Sequence, residues 1–393
     1  MYVHERLTKY LEEGVKTGRL SEEEYRALLE ALERAGKITT IHPELYKGFL
    51  DDALHVLPAM AEKVRSHKDD MKKALKGAGL ETIQVNKDES MMDIEALASD
   101  ASSCPVPVAM AYVALVGAIA LREPRRTPPK IARELIVENS ASMGGRSFKF
   151  YYQVIAESLI PVTCISQIKE YGGAQVLVVD GPLSASELLR RVPKGRGVTK
   201  DAHRRIQKAA HGLIKLRDNL ASLCRKENIV LLSVVKRCTS RHFLAWYDLK
   251  GDIPYVDQYV FQQILRYGER TESIPITDAI EKQGARHFPR YSKIYGFYIK
   301  TSRNPLTPPV RVEYPEYLKG EEDWIASYVL STALTSIEAE YDGLPKVQCL
   351  AHRDVRIAER VMREIYRRVV IKILDEGLDV SLLGSKWGFS LAE

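Results

Sequence analysis

Cysteine is scarce in this 393-residue chain: Cys104, Cys164, Cys224, Cys238 and Cys349 are odd in number, widely spaced and form no Cys-x-x-Cys pair. That argues against a disulfide framework and a cysteine-rich zinc site, and makes a reducing cytoplasm the expected compartment. Long apolar runs are missing as well. The most hydrophobic stretch, Val106 to Leu121, is shorter than the ~20 residues a membrane-spanning helix needs, and it carries Pro107, Tyr112 and Gly117. A buried element is expected there, with no membrane association. The opening MYVHERLTKYLEEG is polar, unlike a secretory signal. Neither sign of charge dominates: 58 Lys and Arg stand against 52 Asp and Glu, and the net +6 permits nucleic-acid binding without demanding it. The phosphate-binding Gly-x-x-x-x-Gly-Lys-Ser/Thr loop and a Gly-x-Gly-x-x-Gly after a strand are absent, as are Gly-x-Ser-x-Gly and His-Glu-x-x-His. An ATPase or dehydrogenase is therefore not expected.

What is present is globular. A hydrophobic share of 45% and a charged share of 28% exclude disorder, and the length suits one large domain with additions, or two domains. The N-terminal part is helical in pattern. Ser21 to Glu24 forms a capping box, Leu20 and Tyr25 a hydrophobic staple, and Gly36 a stop, before a second helical stretch from about Pro43 to Lys76. Residues 1–78 are read as a helical arm for dimerisation or partner docking, with ordinary packing helices as the alternative. Residues 79–393 are read as the main domain.

From Glu81 the pattern becomes strand-like: ETIQV, a polar loop, the Val106–Leu121 run, and IARELIVENSAS as a strand pair or edge. A helix is expected from Phe148 to Tyr171. AQVLVVDGPL then contains Val176 to Val179, the continuous, valine-rich apolar run of a strand buried on both faces. A long amphipathic helix over about Lys200 to Glu227 separates it from a second buried strand, IVLLSVVKRC. Helices are expected at Val256–Tyr267, Trp324–Glu340 and Arg353–Glu376, and strands at KIYGFYIKT and VRVEYP. The result is an α/β layered core.

Asp180 ends a buried strand and is followed by Gly181, where open α/β sheets place their ligands; a plain Asp-Gly turn is the alternative. Lys236 ends the other buried strand and could meet a phosphate as a point charge. Glu157 lies among apolar helical neighbours, either solvated or directed at a site. His352 is read at the start of the last helix, as a functional residue or as a cap-proximal surface or core residue. Carboxylates on neighbouring elements can hold divalent cations through hard oxygen ligands, and such ions hydrolyse phosphodiesters; Lys and His would add charge stabilisation and proton transfer. The segment RRVPKGRGVTKDAHRRIQKAAHGLIKLR follows Asp180 closely. Its Arg191, Lys194, Arg196, Lys200, Arg204 and Arg205, with Lys236 and Arg237, are candidate DNA-backbone contacts; a solvated helix face is the bland alternative.

In this order the motifs resemble the NurA nucleases, DNA-end-processing partners of the HerA translocase. The likeness covers about residues 80–370 and rests on VLVVDGPL, VVKRCTSRHFLAW, VDQYVFQQILRYGERTES, YGFYIKT, VRVEYP and LPKVQCLAHRDVRIAE. It implies an RNase H-like core with a mixed sheet flanked by helices. It also implies Mn²⁺-dependent DNA cleavage (Mg²⁺ as the alternative) as single-strand endonuclease and 5′-to-3′ exonuclease. A homodimer seated on a hexameric HerA-type ATPase is implied too, in repair or anti-phage defence. By resemblance, Asp180 matches a metal-binding Asp, Glu157 the helical Glu (with Glu170 as substitute), Lys236 the strand Lys and His352 the C-terminal His. Two departures stand out. In IQVNKDES, Asn86 falls on the family's first metal-binding Asp, so Asp88 or Glu89 would supply the ligand after a local shift. Leu344-Pro345 replaces Tyr-Pro, with Tyr341 slightly upstream. A catalytically degenerate DNA-binding scaffold is therefore the second reading, and a metal-dependent RNase the third.

Overall fold

The computed structural model describes residues 67–107, 111–124, 127–185, 188, 198–249, 251, 253–282, 293–336, 338, 340–357 and 359–377, with residues 16, 26, 51–53 and 55–57. The Ser21–Glu24 cap and Gly36 lie outside the described residues. Residues 67–77 are helical, and they pack into the main body: Met71 and Leu75 are buried in one cluster with Phe243, Val260 and Phe261.

Ten strands form one mixed sheet. They are β1 (Thr82–Gln84), β2 (Ala96–Pro107), β3 (Ala111–Glu123), β4 (Lys130–Asn139), β5 (Val176–Asp180), β6 (Val230–Val235), β7 (Glu269–Thr271), β8 (Ile274–Pro275), β9 (Ile294–Ile299) and β10 (Val310–Pro315). The order is β1-β7-β9-β10-β6-β5-β2-β3-β4, with β8 on β9. β2, β3 and β4 make an antiparallel meander, and β5 and β6 run parallel to β2. Helix α1 (Gly145–Tyr171) connects β4 to β5, and α2 (Lys200–Lys226) connects β5 to β6. This is the RNase H-like arrangement, extended beyond β6 by antiparallel strands.

The burial explains the layering. Val176, Leu177, Val178 and Val179 are all buried, so β5 needs cover on both faces. Leu177 and Val179 pack under α1 and α2. Val176 and Val178 face α6 (Glu322–Thr332) and α7 (Lys346–Val355). Smaller helices α3 (His242–Trp246), α4 (Asp257–Ile264) and α5 (Ile276–Lys282) cover the extension, and α8 (Glu359–Asp375) follows α7. Among the described residues, no helix is long and apolar enough to cross a membrane.

Three expectations are corrected. The polar loop before Val106 is the strand β2, built from ALASDASSCPVP. Its Ala and Ser residues have weak strand propensity, but it pairs with β3 along its whole length, and tertiary pairing overrides propensity. The Val106–Leu121 run accordingly spans a hairpin. The helix expected from Arg353 is two helices, α7 and α8, and His352 sits in the last turn of α7 rather than at a helix start. The helix expected to reach Glu340 ends at Thr332, where Ala333 bridges Pro345.

One ion pair is wholly enclosed. Arg311 and Glu313, two residues apart on β10, are 0% exposed and 2.8 Å apart. Arg311 also donates to Ser240 Oγ (2.6 Å), and Glu313 accepts the Ser184 N–H (3.0 Å), which ties the loop after Asp180 to β10. Removing one partner strands the other charge. Arg311→Ala is expected to cost about 3–5 kcal/mol, and Arg311→Met/Glu313→Leu to recover part of that loss. Urea denaturation of the three proteins measures both.

Candidate metal centre at the sheet rim

Parallel pairing brings two carboxylates together. β2 and β5 pair as Ala98↔Val178 and Ser99↔Val179. The next residue on each strand is an aspartate, Asp100 and Asp180. Side chains alternate along a strand, so both fall on the face of Ala98 and Val178, under α7. There His352 completes a group: ligand atoms of Asp100, Asp180 and His352 all lie within 4.8 Å of one another. His352 Nδ1 is 2.6 Å from Asp100 Oδ2, and Asp100 is nearly buried. Four residues earlier on α7, Gln348 donates to Asp180 Oδ1 (2.5 Å) and to the Val234 carbonyl (3.0 Å). Lys236, just past β6, places Nζ 3.9 Å from Asp180 Oδ1 and 3.3 Å from His352 Nδ1.

Glu157 approaches from the other face, on α1. Gly181 makes room for it, since a Cβ there would lie 3.3 Å from Glu157 Oε1, and its φ of +75° suits glycine as well. Arg217 of α2 holds Glu157 Oε2 at 2.5 Å and donates to the Pro182 carbonyl. Burial raises the pKa of Glu157, Arg217 opposes it, and the Asp100 charge adds to it. Asp180 is pushed up to about 7, first by burial and then by Asp100, with Glu157 adding; Lys236 and the Gln348 hydrogen bond oppose. A carboxylate pair this close resists double ionisation unless a cation joins it.

Asp180, His352, Lys236 and Glu157 thus converge, and Asn86 and Asp88 do not join the group. They follow β1, at the opposite end of the sheet from β2. Asp88 Oδ1 instead caps a short 3₁₀ turn, accepting from Ser90 N (3.0 Å) and Ser90 Oγ (2.7 Å). Asp100, not Asn86 or Asp88, is the aspartate beside Asp180. Glu170 pairs with Lys130 near the far end of α1. Leu344 is a buried core residue, and the ring of Tyr341 meets His352 edge-on at 5.8 Å.

Of the basic candidates, Arg191, Lys194 and Arg196 lie outside the described residues. Lys200, Arg204 and Arg237 are exposed. Arg205 is engaged, 2.7 Å from Glu138 and 3.2 Å from Asp201. Sequence reasoning missed Asp100, Gln348 and Arg217. Gln348 had one visible signal, its i,i+4 spacing from His352 on one helix face.

The chain matches the NurA domain family over residues 112–357, more than half of its length. That span begins after β2, so Asp100 is located by geometry and not by the match. No curated protein matches. Among solved structures, the NurA nuclease from Sulfolobus solfataricus is similar at 16% identity and a TM-score of 0.56, covering 86% of this chain and 98% of that one. A NurA bound to dAMP and manganese is similar at 11% identity and a TM-score of 0.51, covering 83% of this chain and 97% of that one.

The raised Asp180 pKa has a sign that can be checked. Between about 4 and about 7 the folded state keeps a proton on Asp180 that the unfolded chain releases, so stability falls as pH rises through that window. In metal-free buffer, Asp180→Asn is expected to flatten this fall and to be more stable than the parent at pH 8. Denaturation midpoints from pH 4 to 8 measure it; parallel curves would refute the assignment.

Proposed function

The chain belongs to the NurA family, and we propose that it is a metal-dependent DNA nuclease, a single-strand endonuclease and 5′-to-3′ exonuclease. It would process DNA ends as a homodimer with a HerA-type hexameric ATPase, in the cytoplasm. The observation that carries the reading is the meeting of Asp100, Asp180 and His352 where β5 ends beside β2. The two carboxylates are donors that suit Mn²⁺, with Mg²⁺ as the harder alternative, and the imidazole stands beside them. A cation held there supplies activation of water and stabilisation of the leaving oxygen.

The chain's own groups have distinct tasks. Asp100 and Asp180 hold the cation, and Glu157 is the third carboxylate, oriented by Arg217. Gln348 fixes the rotamer of Asp180. Lys236 Nζ, next to both Asp180 and His352, is placed to neutralise a phosphate oxygen. His352 orients or protonates near the leaving group, and its ring is set by Asp100 and Tyr341. Lys200 and Arg204 guide the strand by backbone charge. Of residues 1–78, proposed for dimerisation or partner docking, the helical stretch 67–77 packs instead into the main body. The degenerate-scaffold reading rested on Asn86 and Leu344. Asp100 beside Asp180, and Tyr341 beside His352, favour the active reading over it.

The test is cleavage of single-stranded and blunt duplex DNA with Mn²⁺. Asp100→Asn and Asp180→Asn are each expected to lower the rate by on the order of 10²–10³, whereas Asn86→Ala and Asp88→Ala keep it. Loss of activity in the latter pair with retention in the former would overturn the site.

A further inference from the structure

Lys87, between Asn86 and Asp88 and away from the metal centre, lines a different feature. A cleft of about 180 Å³ is bounded by Lys87, Tyr267, Ser302, Arg303, Asn304 and Thr335, among others. Enclosed small-molecule sites run from about 300 to 1,000 Å³, so this cleft suits one unit of a longer chain passing across it. Two cations meet over one ring there: Lys87 Nζ lies 5.8 Å and the Arg303 guanidinium carbon 4.9 Å from the Tyr267 centroid. Both cationic side chains are exposed, and Tyr267 is half-buried.

The cleft is built from fixed parts. Lys300 is buried, and its ammonium binds the carbonyls of Asn304 (2.9 Å) and Thr307, which pins the loop that presents Arg303. Asp342 accepts from Ser302 Oγ and Thr307 Oγ1, both at 2.5 Å, and from Ser336 N at 3.1 Å. Three donors thus hold the acid in the wall in place. Gly268 has φ +79°, and a Cβ there would lie 2.7 Å from Gln84 Nε2. That close approach sets Tyr267 against the chain leaving β1. Asp88 N donates to Ser331 Oγ (2.9 Å), holding the residue after Lys87.

Topology puts this cleft on the same rim as the metal centre. The end of β6 adjoins the start of β10 (Val235↔Arg311), and Val310 adjoins the end of β9 at Ile299. Ile299 pairs with Arg270 of β7, and Glu269 with Gln84 at the end of β1. From β5 to β7 is four strand spacings, about 19 Å. A single strand lying along the rim from Asp180 reaches the cleft within a few nucleotides.

We propose that Lys87 and Arg303, steadied by Tyr267, form a second phosphodiester-binding subsite for the single DNA strand cut at Asp180. The inference rests on the nuclease reading for its substrate, but its chemistry is that of backbone recognition: cations on a fixed frame, beside an aromatic ring and hydroxyls.

The experiment is fluorescence anisotropy with labelled single-stranded oligonucleotides of graded length, in metal-free buffer over a range of salt. For a 20-nucleotide strand, Lys87→Ala/Arg303→Ala is expected to bind about tenfold more weakly, and the slope of log affinity on log salt to fall by about 0.7 for each phosphate no longer neutralised. The loss should vanish for strands too short to span the rim. Arg303→Lys, which keeps the charge, should keep most of the slope. Unchanged affinity and slope, or the same loss at every length, would overturn the subsite. Cleavage by the parent protein with Mn²⁺ is scored separately. No cleavage alongside a length-dependent binding loss sinks the nuclease reading and leaves the subsite standing. Cleavage with unaltered binding in the double variant does the reverse.

Discussion

The site depends on one unfavourable juxtaposition: Asp100 within β2 and Asp180 at the end of β5 stand side by side on adjacent parallel strands, on one face, largely out of water. Two carboxylates so placed repel each other and lose hydration together, and this is what lifts Asp180 to about 7. The surrounding structure answers that repulsion from every side. Gln348 and Lys236 face Asp180, His352 faces Asp100, and Arg217 faces Glu157. The four donors come from three elements, so α2, α7 and the end of β6 must all be in place before the carboxylates can be held together. Gly181 belongs to the same logic, because any side chain there would push Glu157 away.

Much of the core was legible from the chain because its signals were local. Val176 to Val179 announced a strand buried on both faces, and Asp180-Gly181 marked its working end. Lys200 to Glu227 had the period of a long helix and is observed as Lys200–Lys226. Asp100 was not legible, for a physical reason. ALASDASSCPVP has no β-branched residue before Val106, so nothing in its own composition asks for a strand. It becomes one because β3 and β5 supply hydrogen-bond partners on both sides and small side chains fit beneath α7 and α1. IQVNKDES, by contrast, begins like a strand and does form β1, but at the far edge of the sheet. Strand character was readable; which neighbour each strand would find was not. Arg217 and Gln348 were hidden the same way, since their roles exist only through partners 60 and 168 residues away in the chain.

The antiparallel extension beyond β6 adds more than area. Its β10 carries the enclosed Arg311–Glu313 pair, and Glu313 reaches across to the Ser184 N–H in the loop that follows Asp180. A buried ion pair is a weak source of net stability, but it is specific in direction, because misregister would leave a bare charge in the core. The extension thereby sets the loop that carries Gly181 and Pro182, and with it the approach of Glu157 and Arg217. The RNase H-like core and its added strands act as one frame.

Charge then explains why the site can exist before a cation arrives. Asp100, Asp180 and Glu157 would place three negative charges in a partly enclosed space. Lys236 and Arg217 offset two of them at 3.9 Å and 2.5 Å, and a proton shared near Asp180 offsets much of the third. The fold is thus held near neutrality by groups that are individually weak competitors for a carboxylate: an ammonium at long range, a guanidinium also committed to the Pro182 carbonyl, and a proton released near pH 7. A tighter arrangement would be more stable and less useful. Binding a divalent ion must displace the proton, so affinity for it should rise with pH up to about 7 and level off above it. Strand binding and metal loading are therefore separable by pH, because they draw on different charges along one edge of the sheet.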